Sequence, residues 1–181
     1  MSKNYKKQIA DLIDQVKKIN YIDQQIISKF EEFINNQPFL TKSEGNTIHL
    51  GTFFLPINKK TKSIYLVNHI KAEMWIPPGG HIEKDELPIS TIRREFKEEL
   101  NHQLTTEEIK LFNLSVTPIN RPWQNCITHY DFWYSVSIEK LPFNFLKKEF
   151  HYGKWFDLEE GLKIIKRKTM QDIIKNHPLI L

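Results

Sequence analysis

Residues 75–102 read WIPPGGHIEKDELPISTIRREFKEELNH, a glycine pair, an acidic loop, and then an arginine followed by three glutamates. On a helix Glu95, Glu98 and Glu99 stand at i, i+3 and i+4 and share one face. Ile89, Ile92, Phe96 and Leu100 form a second stripe, rotated by roughly a third of a turn at ~100° per residue. One stripe can enter a core while the other looks into a cleft. Three carboxylates so close repel one another, which weakens the helix and raises at least one carboxylate pKa. Arg94 can neutralise one of them. A hard divalent cation neutralises more and prefers oxygen ligands. Taken alone, such a spacing reads as a solvated acidic face. Pro77-Pro78-Gly79-Gly80 just upstream shifts the balance to a metal site, because paired glycines let the backbone turn sharply and approach a ligand.

The stretch resembles the Nudix box, G-x5-E-x7-R-E-U-x-E-E-x-G-U, where U is aliphatic or aromatic. Gly80, Glu86, Arg94, Glu95, Phe96, Glu98 and Glu99 match seven of its nine defined positions. The last two depart: Asn101 replaces a glycine and His102 a hydrophobe. Asparagine is the next most tolerated residue at a left-handed position past a helix, so Asn101 costs some stability and no chemistry. His102 leaves the following loop free to take a different path.

The resemblance implies an α/β/α sandwich around a mixed sheet, and hydrolysis of a diphosphate linked to another group with Mg²⁺ or Mn²⁺. It implies that Glu95, Glu98 and Glu99, with a backbone carbonyl from Gly79 or Gly80, hold the metal. Phosphoryl transfer needs charge neutralisation and an aligned water more than covalent help. Glu98 or Glu149 would take the proton of that water, with Glu98, Glu99 and Glu149 as the catalytic set. Arg94 and Glu86 take structural roles, Arg94 orienting the glutamates and pairing with Glu86. Glu149 enters through a second likeness: a glutamate often stands shortly before the Trp-Phe strand that leads into a late helix, here Trp155-Phe156.

Composition bounds the rest. The chain has 181 residues, 40% hydrophobic and 27% charged, enough for one domain with a real core. A single cysteine excludes an intramolecular disulfide and suits a reducing compartment. No apolar run is long enough to span a bilayer, and the lysine-rich start lacks an apolar signal region, so a cytoplasmic location is expected. The net charge of +4 can help attract a polyanionic small molecule. The lysines are scattered, which argues against a nucleic-acid partner beyond an RNA 5′ end.

In chain order, residues 3–37 carry two amphipathic helical stripes with a break near residues 20–23, where Asp23 is a plausible N-cap. Residues 1–40 are thus expected as a helical extension, packed on the domain or forming a homodimer, and residues 41–181 as the hydrolase domain. Residues 47–57 and 64–69 read as a hairpin. Thr105 and Thr106 read as a short helical turn, 111–119 as a strand, 153–157 as a strand, and 158–168 and 169–176 as helices. Residues 126–138 are the longest strand candidate. Alternation there puts Cys126, Tyr130, Phe132 and Val136 on an apolar face and His129, Asp131, Trp133 and Ser135 on the other. That other face is either a polar outer surface or a lining of the site, with His129 and Asp131 as substrate contacts. Cys126 reads as a small buried hydrophobe. Arg121 and Trp123, in the loop before this strand, suit a phosphate and a base.

A nucleoside triphosphate or a nucleotide sugar is the expected substrate class. Two rivals remain: a catalytically silent nucleotide-binding module of the same fold, and an isomerase of isopentenyl diphosphate, which would want a reactive cysteine near the site.

Overall fold

The computed structural model describes residues 3–119 and 125–178. Two helices open the chain, α1 (Lys3–Val16) and α2 (Gln24–Asn36). Asp23 caps α2, its carboxylate accepting the Gln25 N–H at 2.8 Å, which satisfies one of the orphan donors of the first turn. Strands β1 (Ile48–Asn58), β2 (Ser63–His69) and β3 (Met74–Ile76) precede helix α3 (Pro88–Leu100). Strands β4 (Glu108–Pro118), β5 (Thr128–Ser137) and β6 (Phe150–Asp157) follow, then α4 (Leu158–Ile164) and α5 (Lys168–Lys175).

The strands form a six-stranded sheet in the order β3-β2-β1-β5-β4, with β6 paired to β2. β1 and β2 make the expected hairpin, with Ile57 opposite Ile64. One edge of β2 takes β6 along its length, from Ser63 opposite Asp157 to His69 opposite Phe150. β3 pairs with the end of β2, antiparallel. Ile127 donates its N–H to Thr47 O and Ile138 donates to Ile57 O. These bonds advance in the same direction along both strands, so β1 and β5 run parallel. Ile119 N–H bonds Ile127 O in the antiparallel sense of the β4–β5 connection. The sheet is therefore mixed, with helices flanking it, as the α/β reading required.

By internal contacts the chain divides into two compact units. The first comprises Met1–Phe53, Gly80–Ile92 and Leu111–Trp133. Its core takes the α1 stripe (Tyr5, Ile9, Ile13, Val16) and the α2 stripe (Ile27, Phe30, Phe33, Ile34), all buried. Phe33 stacks on Tyr130 at 4.2 Å, and Phe30 meets Tyr130 and Phe132 edge-on at 5.1 and 5.3 Å. The helices at the start of the chain thus cover one face of β5. Tyr21 Oη donates to Phe112 O on β4 at 3.0 Å.

The second unit comprises Phe54–Gly79, Arg93–Lys110 and Tyr134–Leu181. Phe96, the buried apolar member of α3, meets Phe54 at 5.0 Å and Phe143 at 5.5 Å. Ile92 and Leu100 are buried as the periodicity predicts, whereas Ile89 is exposed. Tyr65 packs edge-on against Phe143 and Trp155, and Met170 and Ile174 bury the inner stripe of α5. Among the described residues no helix is long and apolar enough to cross a membrane.

Two local expectations need correction, and one of two open alternatives drops out. Thr105 and Thr106 do not start a helical turn: the Glu107 carboxylate captures the Thr105 N–H at 2.6 Å, and the chain enters β4 at Glu108. β6 begins at Phe150, three residues earlier than its sequence suggested, because an irregularity at Asn68/His69 extends its pairing with β2. The polar set on β5 is not an outer surface. Asp131, Trp133 and Ser135 are all buried, and Trp133 Nε1 donates to Ser115 Oγ at 2.8 Å. Both faces of β5 are covered, so polarity alternates without exposure alternating.

His177, just after α5, is buried, and burial together with Lys59 and Lys110 pushes its pKa down to about 4. The unfolded chain then binds a proton near pH 6.5 that the folded chain refuses until about pH 4. Stability therefore falls as pH drops through that window, by on the order of 3 kcal/mol at the acid end. Thermal unfolding between pH 7 and pH 4 is expected to show this slope in the wild type and a flatter one in His177→Gln.

Candidate active site

The α3 glutamates are graded in depth. Glu98 is exposed, Glu95 half-buried, and Glu99 is 2% exposed. The helical spacing creates this gradient, because Glu99 lies between the acidic stripe and the apolar stripe that ends in Leu100. Burial pushes the Glu99 carboxyl well above the ordinary carboxylate range, and Glu95 and Glu149 push it further. The Gly79 N–H donates to Glu99 Oε2 at 3.0 Å and acts the other way. Burial also raises Glu95, while Arg94 opposes the rise and Glu98 and Glu149 add to it. Arg94 Nη1 lies 2.7 Å from Glu95 Oε1 and 3.3 Å from Glu98 Oε2. It therefore reaches the two shallower carboxylates, and no cation among the described residues acts on the deepest one.

Glu149 is placed by backbone hydrogen bonds. Leu146 donates its N–H to Glu99 O at 2.7 Å, and Glu149 closes a turn by donating to Leu146 O at 3.0 Å. Ile70 N–H bonds Glu149 O at 2.8 Å. The loop between β5 and β6 is thus stitched to the end of α3 and to the end of β2. This brings Glu149 within electrostatic reach of Glu95 and Glu99, a proximity that no fixed spacing in the sequence encodes. The second unit therefore gathers four carboxylates and the Gly79 amide. An all-oxygen carboxylate set with one deeply buried member crowded by its neighbours fits a hard divalent cation.

The other motif positions make local contacts. Glu86 Oε2 accepts from the Glu83 N–H at 3.1 Å and from Thr91 Oγ1 at 2.9 Å, which ties the acidic loop to the first turn of α3. The carbonyl of Gly80 accepts from Thr52 N–H at 2.9 Å and Thr52 Oγ1 at 3.3 Å. Asn101 has φ 50°, the left-handed conformation expected past the helix. His102 still packs, its ring edge-on to Phe96 and Phe143 at 5.7 Å, and its Nε2 lies 3.3 Å from Glu107 Oε1.

The remaining sequence candidates lie in the first unit. Asp131 is buried close to Gly51: a Cβ added there would lie 2.5 Å from Asp131 Oδ1. His129 does not stand alone. Its ring centroid lies 4.7 Å from that of His49 and 5.1 Å from that of His81, and His49 and His81 are 4.8 Å apart. Cys126 joins them, the four potential ligand atoms lying within 4.8 Å of one another. Cys126 is buried as expected, but among imidazoles and not only among hydrocarbons. It precedes β5, so strand alternation does not govern it. The sequence reading missed His49 and His81, and the one available signal was the Cys-x-x-His spacing of 126 and 129. Arg121 and Trp123 lie outside the described residues.

Replacing Glu99 by Gln keeps an acceptor for the Gly79 amide and removes a charge that burial and three neighbouring carboxylates disfavour. In chelator, Glu99→Gln is therefore expected to be more stable than wild type by about 1–2 kcal/mol, read as a shift in the urea unfolding midpoint at pH 7.5.

No curated protein matches this chain in sequence. Among solved structures it resembles the dihydroneopterin triphosphate pyrophosphohydrolase of E. coli, with a TM-score of 0.61, 15% identity, and coverage of 70% of this chain and 92% of that one. It also resembles the MutT protein of Methanosarcina mazei Go1, with a TM-score of 0.59, 15% identity, and coverage of 71% and 91%. A third is an Ap4A hydrolase of C. elegans in a binary complex, with a TM-score of 0.54, 18% identity, and coverage of 70% and 90%. At these identities the likeness is one of fold. The family model for the NUDIX domain matches residues 47–176, which takes in the acidic loop, α3 and Glu149 and exceeds half the chain: the chain belongs to the NUDIX domain family.

Proposed function

We propose that the protein is a pyrophosphohydrolase that attacks a nucleoside diphosphate linked to another moiety, a nucleoside triphosphate or a nucleotide sugar, with Mg²⁺ or Mn²⁺ as cofactor. The observation that carries this reading is Glu99, a buried carboxylate set against Glu95 and Glu149 with no cation among the described residues acting on it. A fold has little reason to keep that arrangement unless a metal relieves it, and a silent binding module has none. The names of the structural neighbours, which include hydrolases of a pterin triphosphate and of Ap4A, support a phosphoanhydride as substrate.

In this reading Glu95, Glu98 and Glu99 hold the metal, and Arg94 keeps Glu95 and Glu98 in position through the contacts given above. When bound, the metal supplies charge neutralisation on the phosphate oxygens and lowers the pKa of the attacking water. Glu149, on its pinned turn, or the exposed Glu98 accepts the proton. Gly79 orients Glu99 through its amide. Arg121 and Trp123 supply phosphate and base contacts from the loop before β5. The single cysteine and the chemistry of the substrate agree with a cytoplasmic setting.

The test is a hydrolysis screen with Mg²⁺ and with Mn²⁺, products identified by mass. The panel holds nucleoside triphosphates, oxidised nucleotides, ADP-ribose, nucleotide sugars, dinucleoside polyphosphates and a 5′-triphosphorylated RNA. One preferred substrate is expected. Glu99→Gln should lower kcat/KM by roughly 100-fold or more, the size typical of losing one charge-stabilising group. Full activity in that variant would remove the metal assignment. Trp123→Ala should raise KM more than it lowers kcat, since stacking acts on the ground state. An unchanged KM would return Trp123 to a packing role.

A further inference from the structure

We propose that His49, His81, Cys126 and His129 form a second metal site, built for zinc or a related borderline transition metal and chemically distinct from the carboxylate set on α3. The proposal stands on the first unit alone and is independent of the hydrolase reading.

The cluster is assembled by the sheet. Ile127 pairs with Thr47 across the parallel β1–β5 junction, so His129 and His49, two residues further along each strand, stand side by side. The segment after the glycine pair lies against β1 through the His81–Gly51 bridge, with Ile82 N–H on Leu50 O. His81 thereby joins from a third stretch of chain. The cluster uses three of the seven histidines and the only cysteine.

His49 shows how a ligand atom is prepared. Its side chain is fully buried. Its Nδ1 lies 2.9 Å from Asn46 O, and a carbonyl only accepts, so Nδ1 carries the proton and Nε2 carries the lone pair. That Nε2 is buried and has no hydrogen-bond partner among the described residues. Buried polar atoms without partners are rare, and each calls for a reason such as a role in binding. A ring nitrogen anchored on a backbone carbonyl, with its opposite nitrogen free, is the arrangement found in histidines that ligate metals. Three imidazoles and one thiolate favour zinc over magnesium, which prefers oxygen ligands. Tetrahedral zinc at ~2.0–2.1 Å from nitrogen and ~2.3 Å from sulfur needs ligand atoms about 3.3–3.6 Å apart. The present limit of 4.8 Å requires a contraction of roughly an ångström, within reach of side-chain rotation.

The test uses the full chain without a histidine tag. Protein dialysed into magnesium buffer is assayed for zinc by mass spectrometry. It is then stripped with chelator and titrated with Co²⁺, reading the near-ultraviolet thiolate-to-cobalt charge-transfer band. A single equivalent of zinc is expected, with a cobalt band that saturates at the same stoichiometry, yields to Zn²⁺ and persists in millimolar Mg²⁺. Cys126→Ser should abolish the band, and His49→Ala should weaken cobalt binding by roughly 100-fold. Glu99→Gln should keep the band. Should His49→Ala fail to fold, the wild-type spectrum with Cys126→Ser decides. Absence of retained zinc together with absence of the cobalt band would overturn the proposal, and so would a band unchanged in Cys126→Ser or lost in Glu99→Gln.

Discussion

The carboxylate of Glu99 cannot escape to solvent. It sits at 2% exposure beside Glu95 and Glu149, held by one backbone amide. Ionising a group in that position is costly, because burial and like charge act in the same sense. Much of the second unit serves to keep it there. Phe96 and Leu100 anchor α3 on the core, Arg94 holds the outer carboxylates, and the Leu146–Glu99 bond draws the loop of Glu149 against the helix end. The cost is local and electrostatic, while the offset is distributed over ordinary packing. That division is common where a site is strained for use.

The two donor sets differ in kind. The α3 set is oxygen only and grades from exposed to buried. The set in the first unit is nitrogen and sulfur, gathered from three chain segments. Hard and borderline cations sort themselves between such sets by ligand chemistry, not by competition in affinity. Gly51 shows how tightly the surroundings of the second set are built, since no Cβ fits there beside Asp131.

What could be read in the sequence followed periodicity and local chemistry. The α3 stripes, the cap at Asp23, the hairpin and the left-handed Asn101 all depend on residues within a few positions of one another. The placement of Glu149 was suggested only by likeness, because it depends on hydrogen bonds between residues 146 and 99 and between 70 and 149. The histidine cluster was not read at all. It depends on the parallel pairing of β1 with β5 and on a single bridge at residue 81, neither of which leaves a local mark. The polar face of β5 left two readings open for a related reason. Alternation reports chemical type, and burial on both faces is decided by what packs against the strand.

Tyr5 reaches from α1 to donate its hydroxyl to Glu86 O at 2.9 Å. Glu86 belongs to the shared motif, while Tyr5 precedes the shared region by more than a strand's length of chain. The inherited sequence and the folding unit therefore have different borders. A fragment trimmed to residues 47–176 would keep every motif residue yet lose the hydroxyl under the acidic loop and bare the rings of Tyr130 and Phe132. For this chain, α1 is part of the floor on which the acidic loop stands.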